Sequence, residues 1–193
     1  MRVTIVAATR LEANAVRRAA PDLEVVEAGI GLDRANGPWE IAISCGLAGG
    51  LSPELRTGAI VIPPYVAGAN GSTRACDPDL TQRLQNAARA LGLISRSLPL
   101  VTLDSFAHCE QRAHWAQLGY AAADMETASI DARRIACVRV ILDTPAREIS
   151  PAWIHPRRAL TDPRAWLDLP FLIRQGPRCA ALAARVVARA FQK

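Results

Sequence analysis

The chain has 193 residues, half of them hydrophobic and 21% charged, a balance that suits a folded core and excludes wholesale disorder. That length allows one unaided core, and with aromatic residues at only 5% the core must be aliphatic. The net charge of +5 is carried mainly by arginine, in no basic run longer than a pair such as Arg17-Arg18 or Arg157-Arg158; it reads either as a surface for an anionic partner or as scattered, solvated side chains.

Short β-branched runs alternate with Ala/Arg/Leu-rich stretches, the pattern of a largely parallel sheet with helices on its faces. Residues 2 to 7 read as a first strand, 11 to 20 as a helix, 23 to 28 as a second strand and 40 to 44 as a third. A fourth strand at 59 to 62 is closed by Pro63-Pro64, which cannot continue a ladder. Gly, Asn and Ser make 65 to 77 a loop. Asp77 and Pro78 then cap and open a helix over about 78 to 91, and Gly92 stops it. Further strands are expected at about 98 to 103, 119 to 124 and 137 to 142, with a helix starting near Glu126. Pro145, Pro151, Pro156, Pro163, Pro170 and Pro177 mark 146 to 177 as loop-heavy, before a last helix from about 177 to 191. The expected fold class is α/β, a three-layer α/β/α arrangement around a mostly parallel, mixed central sheet. It forms one domain over 1 to 193, with a Pro-rich segment and helix from about 146.

Five cysteines (Cys45, Cys76, Cys109, Cys137, Cys179) contain no C-x-x-C, so reduced, buried thiols are expected rather than a disulfide framework or zinc site. His108, His114 and His155 show no paired metal spacing, and no metal is expected. No apolar run reaches the ~20 residues needed to span a bilayer, and the first residues lack a signal-peptide pattern; a cytoplasmic location is expected.

In open α/β sheets, ligands sit beyond the carboxyl ends of the strands. The unusual residues fall there: Thr9-Arg10-Leu11-Glu12, Gly29-Ile30-Gly31, Cys45 to Leu51, Asp104-Ser105-Phe106, Asp124-Met125-Glu126 and Asp143. Each has a bland reading as well. Glu12 can be a solvated residue of a first helical turn, Asp143 a cap and Phe106 core. Asp124 and Glu126 are electrostatically normal near a helix start. Gly46 to Gly50 reads either as a tight strand-to-helix turn or as bare backbone N–H groups for an oxyanion or phosphate. Neither glycine cluster fits G-x-G-x-x-G, and no P-loop or G-x-S-x-G is present.

Taken in order, these segments resemble the nucleoside phosphorylase/nucleosidase superfamily, closest to methylthioadenosine/S-adenosylhomocysteine nucleosidases and their hopanoid-associated relatives. The resemblance covers roughly residues 1 to 145. It rests on Ile43 to Leu51, Leu55 to Ile62, Asp124-Met125-Glu126-Thr127-Ala128 and Val138 to Asp143, with a weaker likeness to the hopanoid branch at 169 to 177. The resemblance implies that Asp143 protonates purine N7, Glu126 grips the ribose hydroxyls, Met125 packs on the sugar and Phe106 stacks on the base. It implies Glu12 as the base that activates water, with Asp124, Ala48 and Gly49 beside the substrate. The chemistry needs such groups: a purine anion leaves poorly without a proton, a carboxyl donates one near neutral pH only if its pKa is raised, and the sugar becomes oxocarbenium-like.

This chain departs from that pattern at Leu142, where the family's hydrolases often carry Ser, and it is short, which points to a trimmed, more open pocket. Four hypotheses follow. One is hydrolysis with Glu12 as base. The second is phosphorolysis, in which phosphate is the co-substrate and Arg10 and Gly46 bind it; no other cofactor is expected. The third is a noncatalytic nucleoside binder. The fourth places the last helix on lipid, with Arg178, Arg185 and Arg189 beside Leu182, Val186, Val187 and Phe191, against the alternative of a packed C-terminal helix. The expected partner is a small-molecule nucleoside, adenosine-type and in the hopanoid branch an adenosyl-hopanoid, with peripheral membrane contact and a homodimer or larger homo-oligomer also expected, and no nucleic acid.

Overall fold

A computed structural model of the chain describes residues 2–154, 159 and 161–192; His155, Pro156 and the Arg157-Arg158 pair lie outside the described residues. Ten strands form one sheet. They are β1 (Thr4–Ala7), β2 (Glu24–Glu27), β3 (Trp39–Gly50), β4 (Ile60–Val61), β5 (Tyr65–Gly68), β6 (Thr73–Ala75), β7 (Ser95–Arg96), β8 (Leu100–Thr102), β9 (Ala122–Asp124) and β10 (Ala132–Asp143). Among the described residues the helices include α1 (Arg10–Ala19), α2 (Pro78–Ala90), α3 (Cys109–Gln117), α4 (Pro163–Trp166) and α5 (Leu169–Phe191).

The strand order is β6-β5-β8-β9-β3-β10-β4-β7, with β2-β1 also joined to β3. Pairing is parallel except at β10/β4, β3/β9 and β5/β6, so the mostly parallel mixed sheet is as expected. Period-two alternation divides its faces. Ile5, Ile41, Ile43, Cys45, Val138 and Val140 face Val16 of α1, Leu80 and Leu84 of α2 and Cys179, Ala183, Val186 and Val187 of α5. On the other side Val6, Ala42 and Ile135 pack against Ala28, Leu32 and Ile130. Beyond the fork, Ala123, opposite Gly49 in the ladder, and Val101 beside it meet Trp115 and Ala116 of α3. Each such Val, Leu or Ile contributes roughly 1.5–3 kcal/mol on burial.

β3 positions the site. One long edge of it pairs with β10. Its other edge takes β1 at Ala42–Ser44 and then antiparallel β9 at Gly49–Gly50, so the sheet forks between them, and the edge at Cys45 to Ala48 has no strand beside it.

Several elements differ from the sequence expectation. The glycines at 46 to 50 are not a turn; they are the second half of β3, because β10 pairs with them as far as Gly49. Residues 65 to 75 form a hairpin, β5/β6, rather than a loop. Only a 3₁₀ turn, Thr127–Ser129, follows Glu126, since β10 begins already at Ala132. α3 was not expected. α5 starts at Leu169, not near 177, with Pro170 in its first turn and Pro177 inside it. The face of α5 that bears Val186, Val187 and Phe191 is buried in the core. No described helix is long and apolar enough to cross a membrane. Four of the cysteines are buried; Cys109 is exposed, and all five are free.

Candidate active site

In the fork of the sheet lies a cavity of about 390 Å³, within the range of small-molecule sites. Glu12, Ala48, Gly49, Phe106, Asp124, Met125, Glu126 and Asp143 all line it. The residues beyond β1, β8, β9 and β10 therefore meet at one rim.

Glu12 is not a solvated helix residue. It is 4% exposed and completes a capping box at the start of α1. Its Oε2 accepts from Thr9 N at 2.8 Å and Thr9 Oγ1 at 2.6 Å, and its Oε1 accepts from Leu47 N at 2.7 Å. That last donor belongs to the unpaired edge of β3, so one carboxylate both caps a helix and satisfies the gap in the sheet.

Arg139, in the middle of β10, is 1% exposed and stands opposite Gly46 in the ladder. A Cβ at Gly46 would collide with Glu12 Oε1 and Arg139 Nη1; the glycine is there for their approach, not for a turn. Arg139 donates from Nε to Asp124 Oδ2 at 2.9 Å, and from Nη2 to Ser44 Oγ at 2.8 Å, Thr127 Oγ1 at 3.0 Å and Glu126 Oε2 at 3.4 Å. Its Nη1 is buried without an acceptor among the described residues. Burial opposes its charge, yet Asp124, Glu126 and Glu12 hold it protonated. Asp124, expected beside the substrate, reaches the cavity wall but spends its carboxylate on Arg139, Thr102 and Thr127.

Glu126 Oε1 accepts from Gly31 N at 3.1 Å; Gly31 has φ +66°, a backbone conformation that favours glycine. Burial pushes its pKa up to about 7, against the pull of Arg139 and with help from Asp124 and Glu12.

Asp143 ends β10 opposite Gly49, past an irregularity that sets Leu142 aside. Burial raises its pKa, and Arg112 opposes the rise. Arg112, which the sequence reading did not single out, is 3% exposed, lines the cavity and pairs with Asp143. Ile149, Trp153 and Leu172 complete the wall; they come from the Pro-rich tail and α5, where no motif marked them.

Arg10 is exposed and outside the lining, and Gly46 is closed over by Glu12 and Arg139, so the two residues expected to hold phosphate do not meet. Among the described residues no group of three or more His, Cys, Asp or Glu could hold a metal ion.

The profile of the phosphorylase superfamily matches residues 35–149. No curated protein matches the chain. Solved structures do. A 5′-methylthioadenosine/S-adenosylhomocysteine nucleosidase from Neisseria meningitidis, in complex with methylthio-immucillin-A, is 18% identical with a TM-score of 0.75, covering 98% of this chain and 97% of that one. The Helicobacter pylori 5′-methylthioadenosine/S-adenosylhomocysteine nucleosidase is 12% identical, with a TM-score of 0.72 over 97% and 96% of the two chains. The futalosine hydrolase of Helicobacter pylori is also 12% identical, with a TM-score of 0.72 over 98% and 97%.

Proposed function

Because the chain belongs to the phosphorylase superfamily, we propose that it hydrolyses the N-glycosidic bond of a purine nucleoside and releases the free base. One observation carries this reading: Asp143, Glu126 and Glu12 line the same small cavity, so one nucleoside can meet all three.

The base lies toward Asp143 and Phe106, the ribose against Glu126 and Met125, with Ala48 and Gly49 forming the floor. The Asp143 carboxyl gives its proton to purine N7 while the electron pair of the C1′–N9 bond leaves with the base. Glu126 accepts hydrogen bonds from the ribose hydroxyls and fixes the ring for attack. Glu12 takes a proton from water, and the oxygen bonds to C1′ as the oxocarbenium character collapses. Arg139 Nη1 lies beside Glu12 at Gly46 and has no acceptor among the described residues.

Water is preferred to phosphate as nucleophile. Arg112 and Arg139, the buried arginines at and behind the cavity wall, already bind carboxylates, so neither is free to take a phosphate dianion. The apolar Leu11, Ile30, Ile149, Trp153 and Leu172 on the wall suit an uncharged, apolar 5′ substituent, which agrees with the methylthioadenosine-like and hopanoid-linked substrates of the resemblance. Exposed Trp166, Leu167, Leu169 and Ile173 give the expected homo-oligomer an apolar surface.

The test is incubation with adenosine, methylthioadenosine and inosine, with and without phosphate, followed by detection of free base. Release without phosphate is expected, and Asp143→Asn should lower turnover by at least ~10²-fold. Release only with phosphate would establish phosphorolysis, and nucleoside affinity without release would establish a binder.

A further inference from the structure

We propose that Arg112 is a positioning residue for the proton donor: it holds the Asp143 carboxyl at the cavity wall and stabilises the carboxylate left behind when the proton has passed to the base. This rests on the purine nucleosidase reading above.

The guanidinium is fixed from several sides. Nε donates to Ala107 O at 2.9 Å, Nη1 to Gly50 O at 2.6 Å, and Nη2 to Asp143 Oδ2. The approach is possible because β3 has glycine opposite the acid. A Cβ at Gly49 would lie 3.2 Å from Asp143 Oδ1, tighter than most such contacts, and 3.4 and 3.5 Å from the two terminal nitrogens of Arg112, in ordinary contact. The residue before the acid, Leu142, offers no side-chain donor, so Arg112 is the side chain that holds Asp143.

Its effect is larger after proton transfer than before. While Asp143 is a neutral acid, Nη2 donates to an uncharged oxygen; once the proton has gone, the same bond joins a cation to a carboxylate, and such bonds are roughly twice as strong. A contact that strengthens as the reaction proceeds lowers the barrier, whereas one of constant strength does not. The donor is already in place, so no reorganisation is needed.

Arg112 is also shared. Its Nε lies 3.4 Å from Glu148 Oε1, and Glu148 in turn lies 3.5 Å from His108 Nδ1 and accepts from Cys109 N at 2.9 Å. Glu148 thus competes with Asp143 for the guanidinium. The other charged groups lining the cavity are Glu12 on α1, Asp124 at the end of β9 and Glu126 just after it, with Arg139 of β10 paired to the last two.

Two variants separate this role from a structural one: Arg112→Met and Glu148→Gln, with Arg112→Lys as the conservative control. For each, kcat and KM for the best nucleoside are measured across pH, and the Asp143 carboxyl is titrated by NMR. Without the cation the acid is harder to ionise, so Arg112→Met should move the alkaline limb of activity, and the Asp143 titration, to higher pH. Its kcat should fall by at least about 10-fold with KM little changed, since loss of one preorganised donor typically costs ~10²–10³; Arg112→Lys should recover part of this. Glu148→Gln removes a competitor for the guanidinium and should move both curves to lower pH. An active wild type with the limb unmoved in Glu148→Gln, or moved in the same direction by both variants, overturns the proposal alone. If Arg112→Met fails to fold, Glu148→Gln decides. A wild type that releases no base from any purine nucleoside overturns the nucleosidase reading and this proposal together.

Discussion

Glu126 carries a cost that its function explains. A buried carboxyl with a pKa near 7 is disfavoured in its charged form, and the fold tolerates it because Arg139, Gly31 N and Met125 N supply donors. The consequence for stability has a definite sign. The folded pKa lies above the unfolded value of about 4.5, so the native state binds the proton more tightly. The associated stability is complete below pH 4.5 and is lost as pH rises through 7. Glu126→Gln stays neutral throughout and should abolish this loss, while weakening its hold on ribose. Urea midpoints at pH 5 and pH 8 check it: the parent should drop more between the two than the variant, and parallel drops would contradict the coupling.

Single elements show which parts of this molecule could be read from sequence. α2 was legible because its signals are local. Asp77 caps Leu80 N, Pro78 opens the helix, and Leu91 and Gly92 end it. The sequence could not show that Asp77 also receives Arg134 from β10, at 2.6 Å from Nε. The two roles can be separated. Asp77→Asn keeps the cap and loses the charge partner, and because that pair is half-exposed it should cost less than ~1 kcal/mol. Asp77→Ala loses both and should cost about 1–2 kcal/mol; chemical denaturation measures each, and equal costs would mean the ion pair dominates. β3 was misread for the opposite reason. Glycine in a strand looks like a breaker, and only the presence of Arg139 and Asp143 across the ladder from Gly46 and Gly49 explains why bare backbone is needed there. Arg139 itself left a signal that went unused: an arginine between Val138 and Val140, inside an apolar strand, must have buried partners. α3 left none. Cys109 to Gln117 has no apolar stripe, and its one buried side chain among these residues is Arg112, so neither the helix nor its arginine could be placed without the fold.

At the scale of the whole molecule, the acids expected from sequence do converge, because β3 serves two partners along one edge and leaves a gap between them. That architecture depends on the last element of the chain. α5 packs across α1, α2, β3 and β10, and Cys179, Ala183, Ala184, Val186 and Val187 are all at most 2% exposed in the main core cluster. If the basic residues of this helix served a lipid surface, removing residues 178–193 would spare the fold and abolish liposome binding. The packing predicts otherwise. The cut would expose the helix-facing side of β3 and β10, including Ile43, Val138 and Val140, and would remove the buried Val186, Val187 and Phe191 at about 1.5–3 kcal/mol each, against a total stability of roughly 5–15 kcal/mol. The truncated chain should therefore be insoluble or lack a cooperative thermal transition. The full chain should not co-sediment with liposomes through residues 178–192, whose exposed side chains are Arg178, Ala181, Arg185, Arg189 and Gln192, none of them a large apolar group. A folded, soluble truncation that retains nucleoside cleavage would show that the sheet and its fork stand without α5, and would reopen the lipid role.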